Sequence, residues 1–118
     1  MMMTQVLVDL YHCDPIMDDP AALAAVARTA AESVGAAIVG EYEVRSTPHG
    51  NTVAIFLAES HIVLTTWPEY RLTLVDILLC NPQMDHAAVA DMLARKICPN
   101  GRMKVHEVRR RIDFHPDA

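Results

Sequence analysis

A chain of 118 residues, 52% of them hydrophobic, has the length of one domain and the material for a real core. Its formal net charge of -5 argues against a nucleic-acid partner, and Arg109-Arg110-Arg111 is too short a basic run to reverse that. No stretch approaches the roughly 18 uninterrupted apolar residues of a membrane span, and Met1-Met2-Met3-Thr4 lacks the basic region and apolar segment of an export signal. Cys13, Cys80 and Cys98 are an odd number without C-x-x-C spacing, which fits neither a disulfide framework nor a zinc site. The expected location is therefore the reducing cytoplasm, with one thiol available for chemistry.

In chain order, Gln5 to Tyr11 is short and rich in β-formers and predicts a strand, broken by His12-Cys13-Asp14-Pro15. Asp19 is an expected N-cap with Pro20 at the first helical position. Leu23, Val26, Ala27, Ala30 and Val34 then recur near helical period, and Gly35 ends the helix. Ala36 to Arg45 predicts a second strand, with Ile38, Tyr42 and Val44 on one parity and Glu41 and Glu43 on the other. Ser46 to Asn51, containing Pro48 and Gly50, is a predicted loop.

Thr52 to Ala58 and His61 to Thr66 predict a third and a fourth strand, the latter stopped by Pro68. Arg71 to Cys80 predicts a fifth, with Leu72, Leu74, Asp76, Leu78 and Cys80 on one face and Cys80 closing a buried apolar run. Asp85 caps a second predicted helix, His86 to Cys98, with Val89, Met92, Leu93 and Ile97 on one stripe. A last strand, Arg102 to Ile112, follows Pro99-Asn100-Gly101.

The order β-α-β-β-β-β-α-β predicts an α+β fold: a two-layer α/β sandwich, one domain over 1–118, with an antiparallel sheet of about six strands and two helices on one face. Two helices leave the other sheet face bare. A second copy of the same sheet is the simplest cover, so a homodimer is expected.

The stretch that bears chemistry is Glu59-Ser60-His61, three polar residues between two apolar runs. Burying them is costly unless each is hydrogen-bonded, so they form a turn or a site. Serine is common in tight turns, and no G-x-S-x-G elbow surrounds Ser60. On a strand His61 points away from Ser60, which makes it a poor base for that hydroxyl. Cys80 reads either as a small core hydrophobe or as a thiol that donates a proton. Glu69 reads either as a loop carboxylate or as a substrate-binding anion, and His49 as a solvated loop residue. No histidines and carboxylates have metal-ligand spacing, so no metal is expected.

Glu59-Ser60-His61, followed by Thr66-Trp67-Pro68-Glu69-Tyr70, Val75-Asp76 and Cys80, resembles the prokaryotic S-adenosylmethionine decarboxylase proenzymes. Leu7-Val8-Asp9-Leu10-Tyr11-His12-Cys13-Asp14-Pro15, Asp18-Asp19, Gly35-Ala36 and Asp85 extend the resemblance from about Val6 to Glu107. It implies a self-cleaving enzyme of polyamine (spermidine) biosynthesis, acting on the small molecule S-adenosylmethionine. Its cofactor would be a pyruvoyl group made from Ser60 that forms a Schiff base with substrate, after cleavage into chains 1–59 and 60–118. The resemblance implies Cys80 as proton donor, and Glu69, Trp67 and Arg45 as substrate-binding residues. Thr65 stands where the family carries a histidine that acts in processing, and Thr52 where it carries a serine with a processing hydroxyl. Ser46 stands where an adenine-stacking aromatic is usual. Two other readings stay open: a pyruvoyl-dependent decarboxylase of arginine or ornithine, and an uncleaved, non-catalytic homologue.

Overall fold

Val6, Val8 and Leu10 recur with the period of two that lets a strand bury one face, and they lie in β1, Met2–Tyr11. The computed structural model describes residues 1–46 and 49–117, so Pro48 of the expected loop lies outside the described residues. There follow α1 (Pro20–Ser33), β2 (Ile38–Arg45), β3 (Asn51–Leu57), β4 (Ser60–Trp67), a 3-10 turn (Pro68–Tyr70), β5 (Leu72–Leu78), α2 (His86–Ile97) and β6 (Arg102–Arg111). The strands form one sheet in the order β2-β3-β4-β5-β1-β6, every neighbour antiparallel. This makes β2 parallel to β1 and β6 parallel to β5, so each helix is the crossover between two parallel strands. The expected α+β sandwich is what forms, with α1 and α2 packed together against a single core.

That core is built from inward residues of the sheet, among them Val8, Val53, Ile55, Ile62, Leu64, Val75 and Ile77, and from the helix faces. On α1 the buried stripe is Leu23, Ala24, Ala27, Ala30 and Ala31, so small residues face the sheet while Val26 and Val34 are only partly covered. On α2 it is Val89, Ala90, Leu93 and Ile97. Asp85 caps α2 as expected, accepting from the Ala88 N–H at 3.2 Å. Asp19 stands at the α1 N-cap without a side-chain cap bond; its neighbour Asp18 accepts instead from buried groups, Asn51 Nδ2 and Thr66 Oγ1, each at 2.6 Å.

Three expectations are corrected. Ile38 does not share a face with Tyr42 and Val44, because a bulge between Ile38 and Gly40 turns Ile38 to the core and leaves Tyr42 and Val44 on the open face. Cys80 does not close a buried face: in β5 the core side is Thr73, Val75 and Ile77, whereas Leu72, Leu74, Asp76 and Leu78 look away from the helices and Cys80 is half-buried. The cysteines do include a disulfide, for Cys13 after β1 pairs with Cys98 at the end of α2, with a Cα–Cα distance of 4.8 Å. Among the described residues no helix is long and apolar enough to cross a membrane.

Candidate active site

The site begins with a hairpin. β3 and β4 are joined by a two-residue turn, Ala58-Glu59, and the last pair in register is Leu57 with Ser60. Glu59 has φ +62°. Glu59, the second turn residue, therefore sits in the left-handed region that glycine or asparagine usually occupies. A side-chain-bearing residue held there costs about 1–2 kcal/mol. The peptide bond from Glu59 to Ser60 thus leaves a strained residue. His61 faces the open side, with Nε2 3.4 Å from Asp76.

The antiparallel register of β4 and β5, with His61 opposite Leu78, carries Cys80 past the end of its own strand to the level of Glu59. The backbone N–H of Cys80 donates to Ser60 Oγ at 2.9 Å, and its thiol donates to the carbonyl oxygen of Glu59 at 2.6 Å. One residue therefore holds a hydroxyl and the carbonyl that precedes it. A donor on Ser60 Oγ stabilises negative charge on that oxygen, and a donor on the Glu59 carbonyl makes its carbon more electrophilic. A cavity of about 370 Å³ opens here, lined by Ala36, Leu57, Glu59, Ser60, Cys80 and Met84 among others. His86, at the start of α2, accepts the Leu79 N–H at 3.3 Å and so fixes the backbone next to Cys80.

The other residues singled out by sequence lie elsewhere. Thr52 and Thr65 face each other across β3 and β4, hydroxyl to hydroxyl at 3.2 Å, on the open face. Thr65 is five positions from Ser60 along β4, roughly 16 Å at strand rise, and on the opposite parity. Trp67 ends β4 and is 42% exposed. Glu69 sits in the 3-10 turn and pairs with His49 at 3.0 Å, so His49 has a carboxylate partner as well as solvent. Arg45 closes β2 opposite Asn51, at the same end of the sheet. Within one chain, Glu59, Ser60 and Cys80 come together, and Thr52, Thr65, Trp67, Glu69 and Arg45 do not reach them.

Two features escaped the sequence reading. Asp18, Asn51 and Thr66 form a buried polar knot that ties the segment before α1 to β3 and β4, with the Asn51 N–H donating to Thr66 Oγ1 at 2.8 Å. Its signal is a pair of polar residues, Asn51 and Thr66, at core parity in apolar strands. The second is a pair of imidazole–carboxylate contacts on the open face, His61 with Asp76 and His106 with Asp9 at 2.8 Å. The Tyr11 hydroxyl also donates to Asp9, and losing its proton beside that carboxylate is disfavoured, so the phenol is raised above its ordinary pKa of 10.0.

A family model described as S-adenosylmethionine decarboxylase matches residues 4–111. The chain belongs to that family. An S-adenosylmethionine decarboxylase proenzyme of Pyrobaculum islandicum is 37% identical over 93 residues, 77% of this chain and 74% of that protein. One of Parasynechococcus marenigrum is 37% identical over 92 residues, 74% of this chain and 72% of its own. The crystal structure of the adenosylmethionine decarboxylase from Aquifex aeolicus superimposes with a TM-score of 0.80 at 25% identity, covering 99% of this chain and 97% of that one. This decarboxylase family thus accounts for the fold over nearly the whole chain. Among the described residues no group of three or more histidine, cysteine, aspartate and glutamate side chains is placed to hold a metal.

Proposed function

We propose that this chain is a cytoplasmic proenzyme that cuts itself between Glu59 and Ser60 and then decarboxylates S-adenosylmethionine for polyamine synthesis. The observation that carries the reading is the grip of Cys80 on both sides of that bond, through its N–H to Ser60 Oγ and its thiol to the Glu59 oxygen. Ser60 Oγ attacks the Glu59 carbonyl carbon, the C–N bond breaks, and an ester replaces the peptide. Loss of the Ser60 α-proton then breaks the Cβ–Oγ bond and releases the Glu59 carboxylate. Hydrolysis of the resulting dehydroalanine frees ammonia and leaves a pyruvoyl group at the head of 60–118. Strain at Glu59 favours the first step, since cleavage relieves it. The residues present fit such a group, because Ser60 opens directly onto a cavity beside a half-buried thiol.

When present, the pyruvoyl group supplies an electron sink for the carbanion left by decarboxylation. Cys80 holds the proton that returns to the substrate α-carbon. Glu69, Trp67 and Arg45 hold substrate polar and aromatic parts, and a second copy must bring them. The open face exposes Tyr42, Phe56, Trp67 and Leu74, an apolar surface suited to a like sheet. With the twofold axis of such a pair running across the strands, the ends of the partner sheet are reversed and its Thr52, Thr65, Trp67 and Glu69 are set toward Ser60. Threonine at 65 cannot serve as a base near neutral pH. The imidazoles proposed to make good that missing base are His61, which follows Ser60 in β4, and His49, which pairs with Glu69.

Two bands on a reducing denaturing gel, and one full-length band for Ser60→Ala, are expected. A single full-length band in the wild type, unaffected by Ser60→Ala, would sink the self-cleavage reading. Carbon dioxide release from S-adenosylmethionine and none from arginine or ornithine is the expected substrate result; the reverse would move the enzyme to those amino acids.

A further inference from the structure

Cleavage after Glu59 leaves Cys13 in residues 1–59 and Cys98 in residues 60–118, and these two cysteines are paired. We propose that the Cys13–Cys98 disulfide is a covalent bond between the two chains of the processed protein, an inference that rests on the self-cleavage reading above. The fold brings the pair together from both sides of the cut. Cys13 is anchored where β1 ends, its N–H donating to the Arg71 carbonyl at 2.9 Å. Cys98 is held by the turn that closes α2, with the Gly101 N–H donating to the Cys98 carbonyl at 3.1 Å. Gly101 is required for this approach: a Cβ there would collide with Cys98 Sγ and the Tyr11 carbonyl. The 4.8 Å between the two Cα atoms lies in the range that a disulfide spans without backbone movement.

Forming the bond breaks two S–H bonds, releases two protons and passes two electrons to an oxidised small-molecule disulfide, which becomes two thiols. Once closed it is shielded. Cys13 is 0% and Cys98 5% exposed, so a reducing thiolate cannot line up on either sulfur until the fold opens. That lets the link persist in a compartment that reduces exposed disulfides. Cys80, half-buried and outside the pair, stays a thiol. The link also changes what unfolding means. β1 lies between β5 and β6, which belong to the other chain after the cut, and β3 pairs with β4 across it. An unlinked pair of chains would separate on unfolding and would have to find each other again, whereas a linked pair refolds as one molecule.

The test uses wild-type protein purified without reductant, denatured, alkylated and weighed intact before and after reduction. One species carrying both chains and a single alkylated cysteine is expected before reduction, resolving into chains 1–59 and 60–118 afterwards. Cys98→Ser is expected to give two separate chains without reductant; should that variant fail to fold, the alkylation count on the wild type still decides. Two separate chains with three alkylated cysteines before reduction would overturn the link. A full-length chain in both conditions with one alkylated cysteine would overturn the self-cleavage reading, and with it the joining role, while keeping the pairing.

Discussion

At one end of the sheet Glu59, Ser60 and Cys80 touch within a single chain; at the other Thr52, Thr65, Trp67 and Glu69 gather on or beside the open face and none reaches the first group. The first group is assembled by register alone, because pairing His61 with Leu78 leaves no other place for residue 80. The second is assembled by strand parity and by the turn after Pro68. The difference separates what one chain assembles by itself from what the proposed pair would add. On the self-cleavage proposal, the nucleophile Ser60, the electrophilic Glu59 carbonyl and their donors are set within the protomer. The residues proposed to bind substrate and the position of the family histidine lie at the other end of the sheet, on or beside the face that a second copy is proposed to cover.

The comparison breaks first at Ser60. Ser60→Ala is expected to abolish cleavage, read as a single full-length band on a reducing gel. Cys80→Ala removes the thiol from the Glu59 oxygen but keeps the N–H on Ser60, so cleavage should persist, slowed by up to ~10²-fold as for loss of one such donor, with decarboxylation lost. An unchanged cleavage time course would remove the thiol from that step. Phe56→Asp, on the open face, should leave the urea midpoint of the protomer within the change expected of an exposed substitution, about 0.5 kcal/mol. It should also shift sedimentation to a monomer and lower decarboxylation. Retention of a dimer with full activity would mean that the second group is not supplied across this face. Thr66→Val breaks the knot with Asp18 and Asn51 and should cost ~1–3 kcal/mol of unfolding free energy, with little change in cleavage rate, since the knot lies at the far end from Ser60.

The elements were legible because their periods are clean: Val6, Val8 and Leu10 alternate, and Val89, Leu93 and Ile97 follow a helix. Which face of β5 turns inward was not legible, since Leu72, Leu74 and Leu78 are as apolar as Val75, Ile77 and Leu79, and only the placement of the helices decides. The face of Ile38 was hidden by a bulge that leaves no mark in the hydrophobic pattern. The disulfide was hidden because it joins residues 85 apart, and an odd cysteine count argues against a framework without excluding one pair. At the site, the residue types were legible from Glu59-Ser60-His61 and Cys80. Their contact was not, because it depends on the register between β4 and β5. The separation of Thr65 from Ser60 follows from parity alone and could have been read from the five-residue spacing.

The most direct measurement is the intact mass of the reduced wild-type protein. Two masses are expected: chain 1–59 ending in a free carboxylate, and chain 60–118 lighter by one ammonia than a chain beginning with serine. A single mass for 118 residues, or a second chain that begins with an unmodified serine, would contradict a Glu59–Ser60 bond built to cut itself and yield a pyruvoyl group.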